Sequence, residues 1–476
     1  MKMWSGRFRQ PLDPEFEKWQ RSFPYDRRLL PFELAASRAH ANALKNAGVL
    51  SAAELSEILK GLETIGQRTE SSLESSDNRE FLNDNEAEDV HHFVEKQLAG
   101  LIGDVGYKLH TGRSRNEQIA TDLRLFVRQS IDTLNVLIGD WVEAILVRAE
   151  SAGSAAMPAY THLQPAEPVL VAHWLLAYVE MFLRDASRLA DCRKRANLCP
   201  LGSGAVAGAT LTLNRQAMAA ELGFDGPTAN SIDATSDRDF AIEFVDALSL
   251  LALHLSRWAE EMILFSTPAY GFVELPEPYS TGSSAMPQKK NPDLLELVRG
   301  KAARVMGCAT TLQNLVKGLP LAYNKDLQET QEPLFDASDT IIGMMPLVTG
   351  FMNTVEFNEA KMNQAASSGF MNAWAAAAYL VERGVPSRLA HEAVGKAVAL
   401  AGERGCDLQK LPLADLQAIH SSFDAGFHSC LGLAEVLALH DVPGGTAPRH
   451  VKRALQNARE RAAALRSLER EQIASR

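Results

Sequence analysis

The sequence predicts an all-α protein, and three features of its 476 residues carry that prediction. Apolar residues recur at helical spacing over long runs. Glycine and proline are concentrated at a few places between those runs, and no strand-like alternation of convincing length is seen. The clearest run follows Ser236, where Phe244, Leu248, Leu251, Leu255, Trp258, Met262 and Phe265 alternate steps of four and three. A seam of this kind occupies about thirty residues, or roughly 45 Å of helix.

Residues 31–66 predict two helices joined near Gly48, the second opening on Ser51 with Glu54 three residues on, a capping box. Residues 67–85 are polar and read as a loop, and Glu86–Gly100 as a short amphipathic helix. Asn116–Glu150 contains no proline and only Gly139 among glycines; Ile119, Leu123, Phe126, Leu134, Leu137 and Trp141 recur along it, with a wider gap at Ser130. Val169–Asn197, the run after Ser236, Asp293–Val316 and Leu321–Val355 complete a set of five long helices. Pro333 and Pro346 are expected to kink the last.

Five such helices in one segment form a long bundle. Several are apolar on more than one face, and one bundle has too little interior to bury them all. Bundles packed against each other in a homo-oligomer are therefore expected. After Gly369 the helices shorten, break at Val385-Pro386, and end after the Gly444–Pro448 turn in a charged helix. Domains are expected at 1–110, 111–362 and 363–476, the central one being the bundle.

The formal net charge of −11 argues against nucleic acid and acidic membranes as partners, while leaving room for a small anionic ligand. The most apolar stretch, VLVAHWLLAYVEMFL, is broken by His173 and Glu180 and is too short for a membrane span. The first residues lack a signal-peptide core, and the five cysteines are scattered without CxxC pairs. A reducing cytoplasm is the expected location, with no zinc cage.

Chemistry concentrates first at Thr281–Pro292, TGSSAMPQKKNP. Gly282, Ser283 and Ser284 give a flexible backbone and hydroxyls, followed by Lys289, Lys290 and Asn291. Asn291-Pro292 reads as an N-cap and first helical residue, which places this loop at a helix N-terminus suited to an anion. Lys108–Gln118, with Ser114, Arg115 and Asn116, reads the same way. Thr161 and His162 lie between prolines, and histidine is the usual proton carrier near neutral pH. Asn324, Gln328 and Gln331, flanked by Tyr323 and Lys325, fall at i, i+4, i+7 on a helical face, and Arg238 heads the seam helix. Each stretch alone is equally an ordinary cap or solvated face. Four together, all in loops or at helix ends, point to one shared site.

TGSSAMPQKKNP resembles the signature of the fumarase/aspartase superfamily, whose members break a C–N or C–O bond β to a carboxylate and release fumarate or a close relative. Together HTGRSRN, YTHLQ, PLGSGA, NSIDATSDRDF, LPLAYNKDLQE and GGTAP resemble the argininosuccinate lyase branch. The resemblance covers essentially the whole chain. It implies a homotetramer with a helical core, active sites shared between subunits, and no metal or organic cofactor. It further implies Ser283 as the base, Lys289 and Asn291 stabilising the resulting dianion, and His162 as acid, oriented by Glu296. Ser22, Asn116, Thr161, Tyr323 and Gln328 match substrate-holding positions, with Ser114, Arg115 and Arg238 as additions. The sequence departs from the family pattern at Glu117, Glu167, Ala285, Asn372 and Gln331, the last standing where a lysine is usual. Two other functions remain open: release of fumarate from another N-substituted aspartate, and a crystallin-like structural role as a tetramer without activity.

Overall fold

The computed structural model describes residues 10–74 and 80–474 and is all-α, with short two-stranded ribbons between helices. It packs as two compact units. The first takes the chain up to Asp132 together with Arg188–Ser249 and Arg304–Asp339; the second takes Thr133–Ser187, Leu250–Ala303 and the residues from Thr340 onward.

In the first unit, α1 (Leu30–Asn46) and α2 (Ala52–Glu74) are joined at Gly48, whose φ of 77° is left-handed. The capping box is present: the Ser51 N–H donates to Glu54 at 2.9 Å, and the Glu54 N–H to the Ser51 hydroxyl at 3.2 Å. The expected loop over 67–85 is a correction. Helix α2 runs through Glu74, and the hydroxyls of buried Thr69 and Ser72 are satisfied within it by backbone carbonyls one turn back, so polar residues here do not mark a loop. Residues 75–79 lie outside the described residues. Helix α3 (Val90–Ile102) starts at Val90 and not at Glu86, since Asp89 caps it by accepting the His92 N–H at 2.7 Å. Phe23 stacks on Phe93 at 4.7 Å, and the Arg28 guanidinium lies 4.7 Å over Phe335 while pairing with Asp339.

The long helices are α4 (Arg115–Ser151), α5 (Val171–Ala196), α6 (Asp239–Ser266), α7 (Asp293–Val316) and α8 (Gln331–Thr354). Every seam residue of α6 is buried. The gap at Ser130 in α4 is polar for a reason: buried Ser338 donates its hydroxyl to the Ser130 hydroxyl at 3.3 Å. Because α8 starts at Gln331, Pro333 sits in the first turn, where its missing N–H costs little, and Pro346 alone lies inside. Lys325–Thr330 ahead of it is a 3-10 turn. Asn324, Gln328 and Gln331 therefore do not share one α-helical face, contrary to expectation.

In the second unit, Trp141 and Trp258 meet edge to face at 4.9 Å and pack on Phe182 and Phe351. Gly139 admits the final helix, α11 (Pro448–Ala474): a Cβ there would lie 2.8 Å from Arg466 Cγ. Helices α9 (Ala373–Glu382) and α10 (Ser387–Glu403) close over Phe423 and Phe427. A hairpin the sequence concealed corrects the absence of strands: β1 (Ala156–Thr161) pairs antiparallel with β2 (Gln164–Leu170). Pro158, Pro165 and Pro168 interrupt its alternation, and such prolines are tolerated because a two-stranded ribbon has only edges. Among the described residues, no helix is long and apolar enough to cross a membrane.

Candidate active site

Three helix N-termini of the first unit bound a cavity of about 130 Å³. The start of α3 brings Glu88, Asp89 and His91, and the start of α4 brings Arg115 and Asn116. The turn before α8 brings Tyr323, Lys325, Gln328 and Gln331, with Ser22 and Asp26 completing the wall. The expected substrate residues Ser22, Arg115, Asn116, Tyr323 and Gln328 are thus brought together. Ser114 and Arg238 are not part of the lining.

The charges are not those of a simple anion site. Arg115 Nη1 is 2.9 Å from Asp89 and 3.2 Å from Glu88, so its charge is already paired, and the two carboxylates raise its pKa against the effect of burial. Ser22 gives its hydroxyl to Asp26 at 2.6 Å. Burial, reinforced by Asp89, pushes the Asp26 carboxyl up to about 7. Gln328 donates to the Gln20 carbonyl at 3.0 Å. Gln331 is only 3% exposed, and its Oε1 has no partner. Burial lowers Arg238 to about 10; its Nη1 donates to the Asp237 carbonyl, leaving Nε and Nη2 unpartnered. Ser114 belongs to the cap of α4, its N–H donating to Glu117 at 3.1 Å. The other oxygen of Glu117 accepts the N–H of Gly204, whose φ of 60° and close approach to the Gly208 carbonyl account for glycine in PLGSGA.

The remaining expected residues belong to the second unit. Thr161 and His162 stand at the exposed tip of the β1–β2 hairpin. His162 and Leu163 both take left-handed backbone, φ 57° and 58°, as a two-residue type I′ turn demands. Neither is Asn or Gly, so the turn carries strain of about 1–3 kcal/mol per residue, a pattern that clusters at functional sites.

The glycine-serine stretch is a flap. Thr281 pairs with Asn291 and Gly282 with Lys290, so Ser283–Lys289 forms a loop on a two-residue ribbon. The Asn291 amide reaches back to Thr281 and Gly282 at 3.4 Å. It is therefore not the N-cap the sequence suggested; α7 begins at Asp293, with Pro292 before it. Lys290 pairs with Glu274 at 2.8 Å, whereas Lys289 is exposed and has no acceptor within reach among the described residues. Ser283 is partly exposed and accepts only the N–H groups of Ala285 and Met286, at 3.3 and 3.2 Å. Glu296 lies exposed in the first turn of α7, 4.0 Å from Arg299.

Sequence reasoning missed the acidic wall of the cavity. Glu88, Asp89 and His91 fall within the expected amphipathic helix, where the crowding of EAEDVHH at a helix start was the available signal, and Asp26 lies ahead of the first expected helix.

A family model described as lyase matches residues 6–307, and one described as argininosuccinate lyase C-terminal matches residues 370–438. The argininosuccinate lyase of Koribacter versatilis is 59% identical over 465 residues, covering 98% of both chains. That of Acidobacterium capsulatum is 57% identical over 456 residues, covering 96% of this chain and 94% of the relative. Among solved structures, an EDDS lyase variant with bound fumarate aligns at TM-score 0.80 with 28% identity, covering 97% of this chain and 92% of that one. Near-complete coverage, high identity and a matching carboxy-terminal family model show that the chain belongs to the argininosuccinate lyase family.

Proposed function

We propose that this enzyme cleaves argininosuccinate to arginine and fumarate, the reaction that completes arginine biosynthesis. The observation that carries this reading is the flap, which presents a partly exposed serine hydroxyl, and a lysine with no partner among the described residues, on a ribbon closed by Asn291. Ser283 takes the proton from Cβ, next to a carboxylate, and the electron pair moves onto that carboxylate. Lys289 and the Asn291 amide offset the second negative charge, a type of stabilisation that is usually the largest catalytic contribution. The Cα–N bond then breaks, and His162, oriented by Glu296, protonates the departing nitrogen of arginine. A serine hydroxyl is a weak base, so positive charge and exclusion of water around the closed flap are needed.

Ser22, Asn116, Thr161, Tyr323 and Gln328 hold the substrate, with Ser114, Arg115 and Arg238 supporting them. The reaction uses no cofactor and no metal. The active form is a homotetramer in the cytoplasm, with each site assembled from several subunits. Large apolar side chains left exposed on the long helices, including Leu250, Leu297, Met306 and Leu347, favour this assembly. Purified protein mixed with argininosuccinate should produce fumarate, seen as rising ultraviolet absorbance. If no fumarate forms while another succinyl-amine is cleaved, the substrate assignment is wrong. Gln331 favours that second reading: a neutral amide stands on the cavity wall where the family resemblance leads one to expect a cation.

A further inference from the structure

One buried group against the cavity has no part in the chemistry above. Glu33 on α1 and Asp122 on α4 are fully buried, and His91 on α3 nearly so. A carboxylate oxygen of each acid and a ring nitrogen of His91 lie within 4.8 Å of one another. Glu33 is well supplied with donors: Ser37 at 2.7 Å and Gln118 at 3.0 Å, with His91 Nδ1 at 3.1 Å and Arg113 at 3.7 Å. Asp122 is not. Neither of its oxygens meets a hydrogen-bond donor among the described residues, and His91 Nδ1 stands 3.7 Å away.

Two carboxylates this close in a dry interior cannot both be ionised. The groups facing Asp122 are Glu33 from α1, His91 from α3, Arg113 from the loop ahead of α4, and Asp26 from the turn before α1. Arg113 balances one of the two negative charges of the pair. One more positive charge makes the group neutral, and a proton provides it without disturbing the guanidinium.

We propose that Glu33 and Asp122 share one proton, resident on Asp122, and that this pair holds the His91 ring in the cavity wall as a positioning residue. His91 suits the role because it lines the substrate cavity on one side and a water-sized space of about 10 Å³ on the other. In agreement, burial and the Glu33 charge raise the Asp122 carboxyl well above the ordinary carboxylate range. Against burial, the Arg113 charge and the hydrogen bonds from His91 and Ser37 hold the Glu33 carboxyl below the ordinary carboxylate range.

The test uses the full-length protein and the variants Asp122→Asn and Glu33→Gln, melted across about pH 5 to 9 without substrate. Asn copies the protonated acid, so the melting temperature of D122N should gain on the parent steadily as pH rises. E33Q removes the partner that forbids ionisation, so its melting temperature should fall less steeply with pH than the parent's. If D122N proves insoluble, E33Q alone still decides. Curves for parent and variants that differ by a constant offset overturn the proposal. So does a rise in parent melting temperature with added Zn²⁺ or Mn²⁺ that D122N lacks, since a cation would then hold the place of the proton. The positioning role rests on the proposed function and is read separately: the parent KM for argininosuccinate should rise with pH while the D122N value stays flat. If argininosuccinate is not turned over, the substrate reading falls and the melting curves still judge the shared proton.

Discussion

The Ser22 hydroxyl donates to Oδ2 of Asp26 across 2.6 Å, with both residues buried in the cavity wall. That single bond does not offset the burial of the carboxyl, which together with Asp89 lifts it from 3.8 to about 7. An acid whose folded pKa is raised binds a proton more tightly in the folded state. Its stability contribution is complete below the unfolded pKa and is lost as pH climbs through the folded one. Asp26→Asn should therefore gain stability over the parent between about pH 4 and 7, by on the order of 1–4 kcal/mol, in denaturant unfolding at each pH.

His162→Asn separates the turn from the proton carrier. Asn tolerates left-handed backbone, so the hairpin should persist and the melting temperature should shift by only a few degrees. The imidazole is gone, and kcat should drop by about 10²–10⁴-fold. Steady-state kinetics beside a thermal melt checks both halves.

The two flap lysines should differ sharply. Lys290 is tied to Glu274, and Lys289 has no acceptor within reach among the described residues. Lys289→Ala should lower kcat by about 10²-fold or more, the cost of a lost charge-stabilising donor, while Lys290→Ala should leave kcat near that of the parent. Ser283→Ala should also abolish measurable turnover without lowering the melting temperature, because its hydroxyl accepts only two long turn bonds.

Gln331→Lys puts a cation where an unpartnered amide oxygen now sits. A charge-assisted hydrogen bond is about twice as strong as a neutral one, so KM for argininosuccinate should fall several-fold if a substrate carboxylate lies there. An unchanged KM would show that another group of this cavity already serves that carboxylate.

Gly106→Ala should destabilise the first unit by about 1–3 kcal/mol, as overpacking does. The added Cβ would stand 2.9 Å from the Ala99 nitrogen and 3.0 Å from its Cα, backbone atoms that cannot rotate away. Denaturant unfolding of the full chain measures it.

Helix content was legible because burial imposes a period. The seam from Phe244 to Phe265 is buried at every position, as its spacing implied, and the Ser51–Glu54 capping box formed as read. The β1–β2 hairpin was not legible. Its alternation is broken by prolines, and its turn uses His162 and Leu163 in place of the Asn-Gly that would have announced it. The polar stretch after Gln67 read as loop, yet Thr69 and Ser72 are buried with their hydroxyls bonded to their own helix.

By itself the sequence determined the helical class, the five long runs and the family signature on the flap, because all three depend on residues close together along the chain. Only the tertiary structure decided that Arg115 is already neutralised, that Lys290 is paired while Lys289 has no partner among the described residues, and that Asp26 and His91 line one cavity with Glu33 and Asp122 buried against His91. Those facts depend on charges tens of residues apart meeting in a low-dielectric interior, where a distance of a few ångströms sets both pairing and protonation.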